Sequence, residues 1–212
     1  MALGTWDLVD PKVALTKTVI SGKWVWDLKQ LDDGKARFKA RWVARGFTQV
    51  EGLDFKETFA PVMNGKSWHI MFALAAAIKY AIGQIDVANA FLNGELKETI
   101  YMEQPHGFEE GDKIAKLKKS LYGLKQAAHV WFEELRKTLV LKLEFQELQS
   151  DTVVFVKRFA DGGYIYIGGH VDDLLIVTAS QKEQDWFRKE LARHFKFKSF
   201  DFGKYLGVEC EQ

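Results

Sequence analysis

The chain has 212 residues, 47% hydrophobic and 14% aromatic, enough to bury a core and too apolar for a chain disordered throughout. A formal net charge of +1 excludes a uniformly basic protein, and the single cysteine, Cys210, excludes an internal disulfide and fits a reducing compartment. The longest apolar run, Ile70 to Ile78, is far short of the roughly 20 residues of a membrane span, no leader-like segment opens the chain, and the five histidines lack zinc spacing; a soluble, intracellular protein with no membrane partner is expected.

Taken in order, Thr5–Val9 reads as a short strand. Trp24, Trp26 and Leu28 alternate with Val25, Asp27 and Lys29, giving another strand. Asp33-Gly34 marks a turn. The strand that follows puts Lys35, Arg37, Lys39 and Arg41 on one face and Ala36, Phe38, Ala40 and Trp42 on the other. That basic ladder is either a charged edge strand resisting aggregation or a phosphate-binding finger. Gly46 and Gly52 bracket a loop closed by Pro61. Ser67 is placed to N-cap a helix to about Tyr80, apolar almost all round and therefore expected to be buried.

Residues 81–87 read as a strand carrying Asp86 at its end, and 88–94 as a turn and short helix stopping at Gly94. Residues 95–112 are irregular and acidic. A Lys-rich strand near 113–119 leads into Ser120–Gln126, then a helix over 127–142 with Trp131, Leu135 and Leu139 on one face. A strand over 153–156, the turn at Asp161-Gly162-Gly163, a hairpin over 164–178 and a helix over 181–195 follow. Tyr205–Glu209 is the last expected strand. Helices and antiparallel hairpins interleave without repeats, so the fold class is α+β.

The hairpin over 164–178 organises the chain. Two apolar, β-prone runs flank Asp172-Asp173, and unpaired carboxylates do not lie in such a core. They belong at the hairpin tip, either as an ordinary Asp-rich turn or as half of a two-metal carboxylate site. Asp86, ending its own strand, is the third carboxylate such a site needs. Magnesium suits an all-oxygen ligand set completed by water and substrate phosphate.

At these residues the chain resembles the reverse transcriptase of copia-type (Pseudoviridae) LTR retrotransposons. The resemblance rests on Lys23-Trp24-Val25-Trp26, on Phe38 to Gln49, on Glu57-Thr58-Phe59-Ala60-Pro61-Val62, and on Gln84 to Gly94. It continues through Ile100 to Pro105, Leu117 to Ala127, Val171-Asp172-Asp173 and Lys204 to Glu209, covering nearly the whole chain. It implies a right-hand polymerase with fingers (about 1–61 and 94–127) and palm (about 62–93 and 128–212), the antiparallel palm sheet packed on helices and the thumb absent.

By the same resemblance, Asp86, Asp172 and Asp173 are the catalytic and metal-binding acids, with the Val87 backbone as a further ligand for two Mg2+ ions that Mn2+ can replace. Lys39, Arg41, Phe91, Gly123, Lys125 and Gln126 are implied to bind the dNTP, with Phe91 as the gate against a ribose 2′-hydroxyl. His170, Val171, Leu206 and Gly207 are implied to meet primer and template, although a plain core strand also accounts for 205–209. The implied partners are an RNA/DNA template–primer, dNTPs and neighbouring polyprotein segments (thumb, ribonuclease H, integrase), in a cytoplasmic virus-like particle or the nucleus. Three places depart from the family pattern: His170 stands where Tyr is usual, Ala128-His129 replace Pro-Arg, and Asn64-Gly65-Lys66 replace a segment with a basic residue. A rival reading draws on these departures: an inactive or domesticated copy that keeps the fold and nucleic-acid binding. A palm-type cyclase shares the metal logic but has no use for Phe91 or for Tyr122–Gln126.

Overall fold

The computed structural model describes residues 4–30, 34–201, 204–205 and 208–209. In chain order the strands begin with β1 (Trp6–Val9), β2 (Val19–Ile20), β3 (Gly22–Gln30), β4 (Ala36–Ala44), β5 (Ala81–Val87), β6 (Tyr101–Met102) and β7 (Ile114–Leu117). They continue with β8 (Gln146–Leu148), β9 (Asp151–Arg158), β10 (Tyr164–His170), β11 (Asp173–Thr178), β12 (Phe197–Asp201), β13 (Lys204–Tyr205) and β14 (Val208–Glu209). The helices are α1 (Gly65–Ile78), α2 (Ala127–Lys137) and α3 (Gln181–Leu191). The class is α+β, and the chain divides into two compact units, Met1–Phe59 with Phe91–Trp131 and Ala60–Ala90 with Phe132–Gln212.

The first unit holds a four-stranded sheet in the order β1-β7-β6-β2 and a separate two-stranded ribbon, β3-β4. Ile20, Trp42, Ile100, Met102, Leu117 and Leu121 form its core, with Trp24 packed against them. The ribbon pairs Trp24 with Trp42 across the strands, their rings 5.3 Å apart and edge to face. Beyond that pair the expected inner face of β4 stays open: Ala36, Phe38 and Ala40 are exposed, Phe38 to 79%. Alternation correctly separates the two faces, but a ribbon of two strands has no second layer to cover the apolar one. Asp33 of the expected Asp33-Gly34 turn lies outside the described residues.

The second unit is built on an antiparallel sheet in the order β12-β5-β11-β10-β9-β8. Alternation along β10 assigns its two layers. On one face Gly168 looks onto Met63 and Met71 of the α1 region, and on the other Gly169 looks toward Leu135 of α2. Gln184 of α3 lies over Gly83, which pairs with Ile176, so α3 shares the α2 face. The core between α1 and the sheet gathers Met63, Met71, Ala75, Leu175, Val177 and Tyr205.

Several expected elements differ in detail. The N-cap of α1 is Asn64, whose side-chain oxygen accepts from the Lys66 N–H at 2.9 Å, rather than Ser67. Ser67 is instead drawn to Asp151. The helix is not buried all round: Met71 and Ala75 are buried, while Ile70 is 66% exposed, because α1 packs by one face on β10 and β11. The helix expected over 127–142 is α-helical only to Lys137 and then opens into a π-helical stretch, Thr138–Lys142. The final strand is a short antiparallel pair, β13 with β14, rather than one run.

Candidate active site

The acids come together through strand register in the second unit. β11 pairs with β5 so that Asp173 stands directly opposite Asp86, and β12 puts Lys198 opposite Asp86 from the other side. β10 puts His170 opposite Asp173. Directly paired residues share a sheet face, so His170, Asp173, Asp86 and Lys198 form one row across four strands. Asp172 sits in the two-residue turn after His170, and its backbone carbonyl accepts the Val87 N–H at 2.8 Å. That bond ties the turn to the residue following Asp86. Val87 itself is buried.

The turn is strained. Val171 has φ 58°, and Asp172 is not among the residues of positive φ, the pattern of a type II′ hairpin turn. Glycine usually takes that position; for a β-branched residue it costs about 1–3 kcal/mol. Asp173 is partly buried, and its carboxyl accepts from Gln84 Nε2 at 3.3 Å. Burial, before all else, pushes its pKa up; the Gln84 bond opposes this, and the negative charges of Asp172 and Asp86 add to it. His170 Nδ1 is buried with no hydrogen-bond partner, as is the Tyr205 hydroxyl. Among the described residues, no three His, Cys, Asp or Glu side chains are grouped closely enough to hold a metal ion as they stand.

The expected dNTP residues lie in the first unit. Lys39 is exposed on β4 opposite Asp27, and Arg41 approaches Asp27 at 3.9 Å. The Arg41 guanidinium also lies over the Tyr122 ring, 5.9 Å from its centroid, and Tyr122 meets Phe91 edge to face at 4.6 Å. Tyr122 therefore joins Arg41 to Phe91. Gly123 (φ 90°) lies against β4, where a β-carbon would overlap the Ala44 carbonyl, and its own carbonyl accepts from Gly46 N–H at 3.2 Å.

Lys125 is exposed, while its backbone N–H donates to Gln49 Oε1 at 2.7 Å. Gln126 is turned inward. It is 2% exposed, accepts from Gln49 Nε2 at 3.0 Å and donates to the Asp54 carbonyl at 2.8 Å. Both ends of its amide are used inside the protein, and its side chain holds the 46–55 loop. Leu206 and Gly207 lie outside the described residues.

A family model described as "Reverse transcriptase (RNA-dependent DNA polymerase)" matches residues 3–212. The chain belongs to the reverse transcriptase family. Among relatives of this reverse transcriptase chain, the retrovirus-related Pol polyprotein from transposon TNT 1-94 of Nicotiana tabacum is 40% identical over 200 residues, covering 92% of the chain and 15% of the relative. The Pol polyprotein from transposon RE1 of Arabidopsis thaliana is 38% identical over 213 residues, 98% of the chain and 14% of the relative. The transposon Ty1-H Gag-Pol polyprotein of Saccharomyces cerevisiae is 29% identical over 212 residues, 96% of the chain and 11% of the relative. These are copia-type retrotransposon Pol polyproteins, and the chain spans about a seventh of the two plant relatives. The family is one of RNA-directed DNA polymerases. Among the described residues of this chain no helix is long and apolar enough to cross a membrane.

Proposed function

We propose that the two units are the fingers and palm of a polymerase that adds dNTPs to a primer 3′-hydroxyl on an RNA template. The observation that carries this reading is the register of Asp173 on Asp86, with Asp172 bonded to Val87 at the adjoining turn. Three oxygen donors of one sign, two of which raise the pKa of the third, suit a divalent cation. Asp86 and Asp172 would hold magnesium or manganese, with Asp173 supporting them and the Val87 backbone adjoining. A bound pair of such ions lowers the pKa of an attacking hydroxyl and steadies a leaving pyrophosphate.

The chain's own residues supply the rest. Lys39 and Arg41 neutralise the triphosphate, and Phe91, held by Tyr122, excludes the ribose 2′-hydroxyl. His170 and Val171 border the primer end. Lys125 faces the substrate side, while Gly123 and Gln126 shape the loop behind it. Template–primer, dNTPs and adjoining Pol segments are the partners, inside the cell.

Magnesium-dependent extension of a DNA primer on an RNA template tests this, with Asp172→Asn and His170→Tyr alongside. Extension by the parent that Asp172→Asn abolishes is the expected result. One observation favours a second reading: His170 stands at the row's end with a buried Nδ1 lacking a partner. If only His170→Tyr extends, His170 is the lesion of an otherwise sound site. If all three bind template–primer and none extends, the chain is a binding module and the catalytic reading falls.

A further inference from the structure

The strand that delivers the paired aspartates is weakly supported just before it reaches them. β10 pairs with β9 only as far as Gly168 opposite Val154, so Gly169 and His170 run past the last β9 partner. Gly168 and Gly169 also bring no side chains to hold the sheet there, and glycine in a strand interior costs about 0.5–1 kcal/mol in chain entropy. A strained turn at Val171 follows at once. Such a tip would fray without an outside support.

The segment leading into α1 provides one. The Met63 N–H donates to the Gly169 carbonyl at 2.9 Å, at the first position beyond the β9 pairing. The Met63 side chain is buried and occupies the notch above Gly168, where a β-carbon would overlap its Sδ and approach its Cε. An unbranched thioether fills such an irregular gap well. The next residue, Asn64, is anchored in turn. Its N–H donates to Asp151 Oδ2 at 2.9 Å, the Ser67 hydroxyl donates to the same oxygen at 2.6 Å, and the other Asp151 oxygen accepts from Val153 N–H at 3.2 Å. Asp151 opens β9, so one carboxylate ties the start of α1 to the sheet beside the unsupported end of β10.

We infer that Met63 is a positioning residue for the aspartate-bearing hairpin, with Asp151 as its anchor. It touches no reacting group. It acts by setting where His170, Val171 and Asp172 sit relative to Asp86, and it rests on the polymerase reading only for what that placement serves. Catalytic geometry is unforgiving, and a misplacement of about 1 Å can cost a hundredfold in rate.

The test compares the parent chain with Met63→Ala, Met63→Leu, Asp151→Asn and Asp172→Asn. Amide hydrogen exchange reads the hairpin directly. Met63→Ala is expected to speed exchange at 169–173 by about tenfold or more while leaving the middle of β5 and β11 unchanged. Met63→Leu is expected to restore protection, and Asp151→Asn to give a weaker form of the same local loss. In primer extension, Met63→Ala is expected to lower kcat between about tenfold and a hundredfold with KM for dNTP within about twofold. Uniformly faster exchange across the sheet, or unchanged exchange at 169–173, would overturn the inference and leave Met63 a packing residue. Failure of the underlying reading is separately visible: extension unaffected by Asp172→Asn removes the catalytic claim, whatever the exchange data say of the support.

Discussion

Asp173 shows how one residue's surroundings fix both its charge and its cost. Burial together with the charges of Asp172 and Asp86 raises its pKa in the fold. An acid whose pKa is higher folded than unfolded keeps its proton longer in the native state. Its contribution to stability therefore falls as pH rises from the ordinary Asp value of about 3.9 through the elevated one. Asp173→Asn is accordingly expected to raise Tm at neutral pH in the absence of divalent ions, with the gain shrinking on acidification. Thermal melts across that range check it; a gain that grows toward acid would contradict the assignment. That the three aspartates adjoin apolar, β-prone runs was legible in the sequence, while their grouping into a site came from the resemblance. The inward amide of Gln126 was not legible. Its burial depends on Gln49 and Asp54, 77 and 72 residues away, and nothing local to Lys125-Gln126-Ala127 separates an inward amide from an outward one.

Among elements, the contact between β4 and the Tyr122–Leu124 turn is the most sharply constrained. Gly46 and Gly123 pass backbone against backbone, with Ala44 N–H donating to the Tyr122 carbonyl at 2.8 Å. Gly123→Ala meets two penalties, a φ of 90° and overlap with the Ala44 carbonyl. It is expected to destabilise the chain by about 3 kcal/mol or more, read from the urea midpoint at unchanged slope. Periodicity located most long elements, including β3, β4, β5, β10, β11 and the buried faces of α2 and α3. It failed where tertiary packing decides. α1 reads as wholly buried because nearly every residue is apolar, yet only one face has a sheet to meet. The two-residue strands β2 and β6 carry no period, and their pairing is parallel across 82 residues of chain.

For the whole molecule, the polymerase reading requires the aspartates to be completed by cations. Binding to the native state alone stabilises it by about 1.4 kcal/mol when the ion is tenfold above its Kd. Magnesium or manganese is therefore expected to raise Tm of the parent, and Asp86→Asn with Asp172→Asn is expected to cancel the rise. Equal rises in parent and double variant would show that the ion binds elsewhere. The chain divides into its two compact units near residues 59, 90 and 131. The sequence could not show that the ribbon's apolar face stays open, since alternation says which residues share a face and not whether anything covers it.

The notch at Gly168 also limits how copies of this domain can drift. Every base change in a glycine codon that alters the amino acid introduces a β-carbon or a stop signal. A β-carbon at Gly168 collides with Met63. The atoms it meets are the flexible end of Met63, so a small side chain at Gly168 fits only where Met63 turns aside.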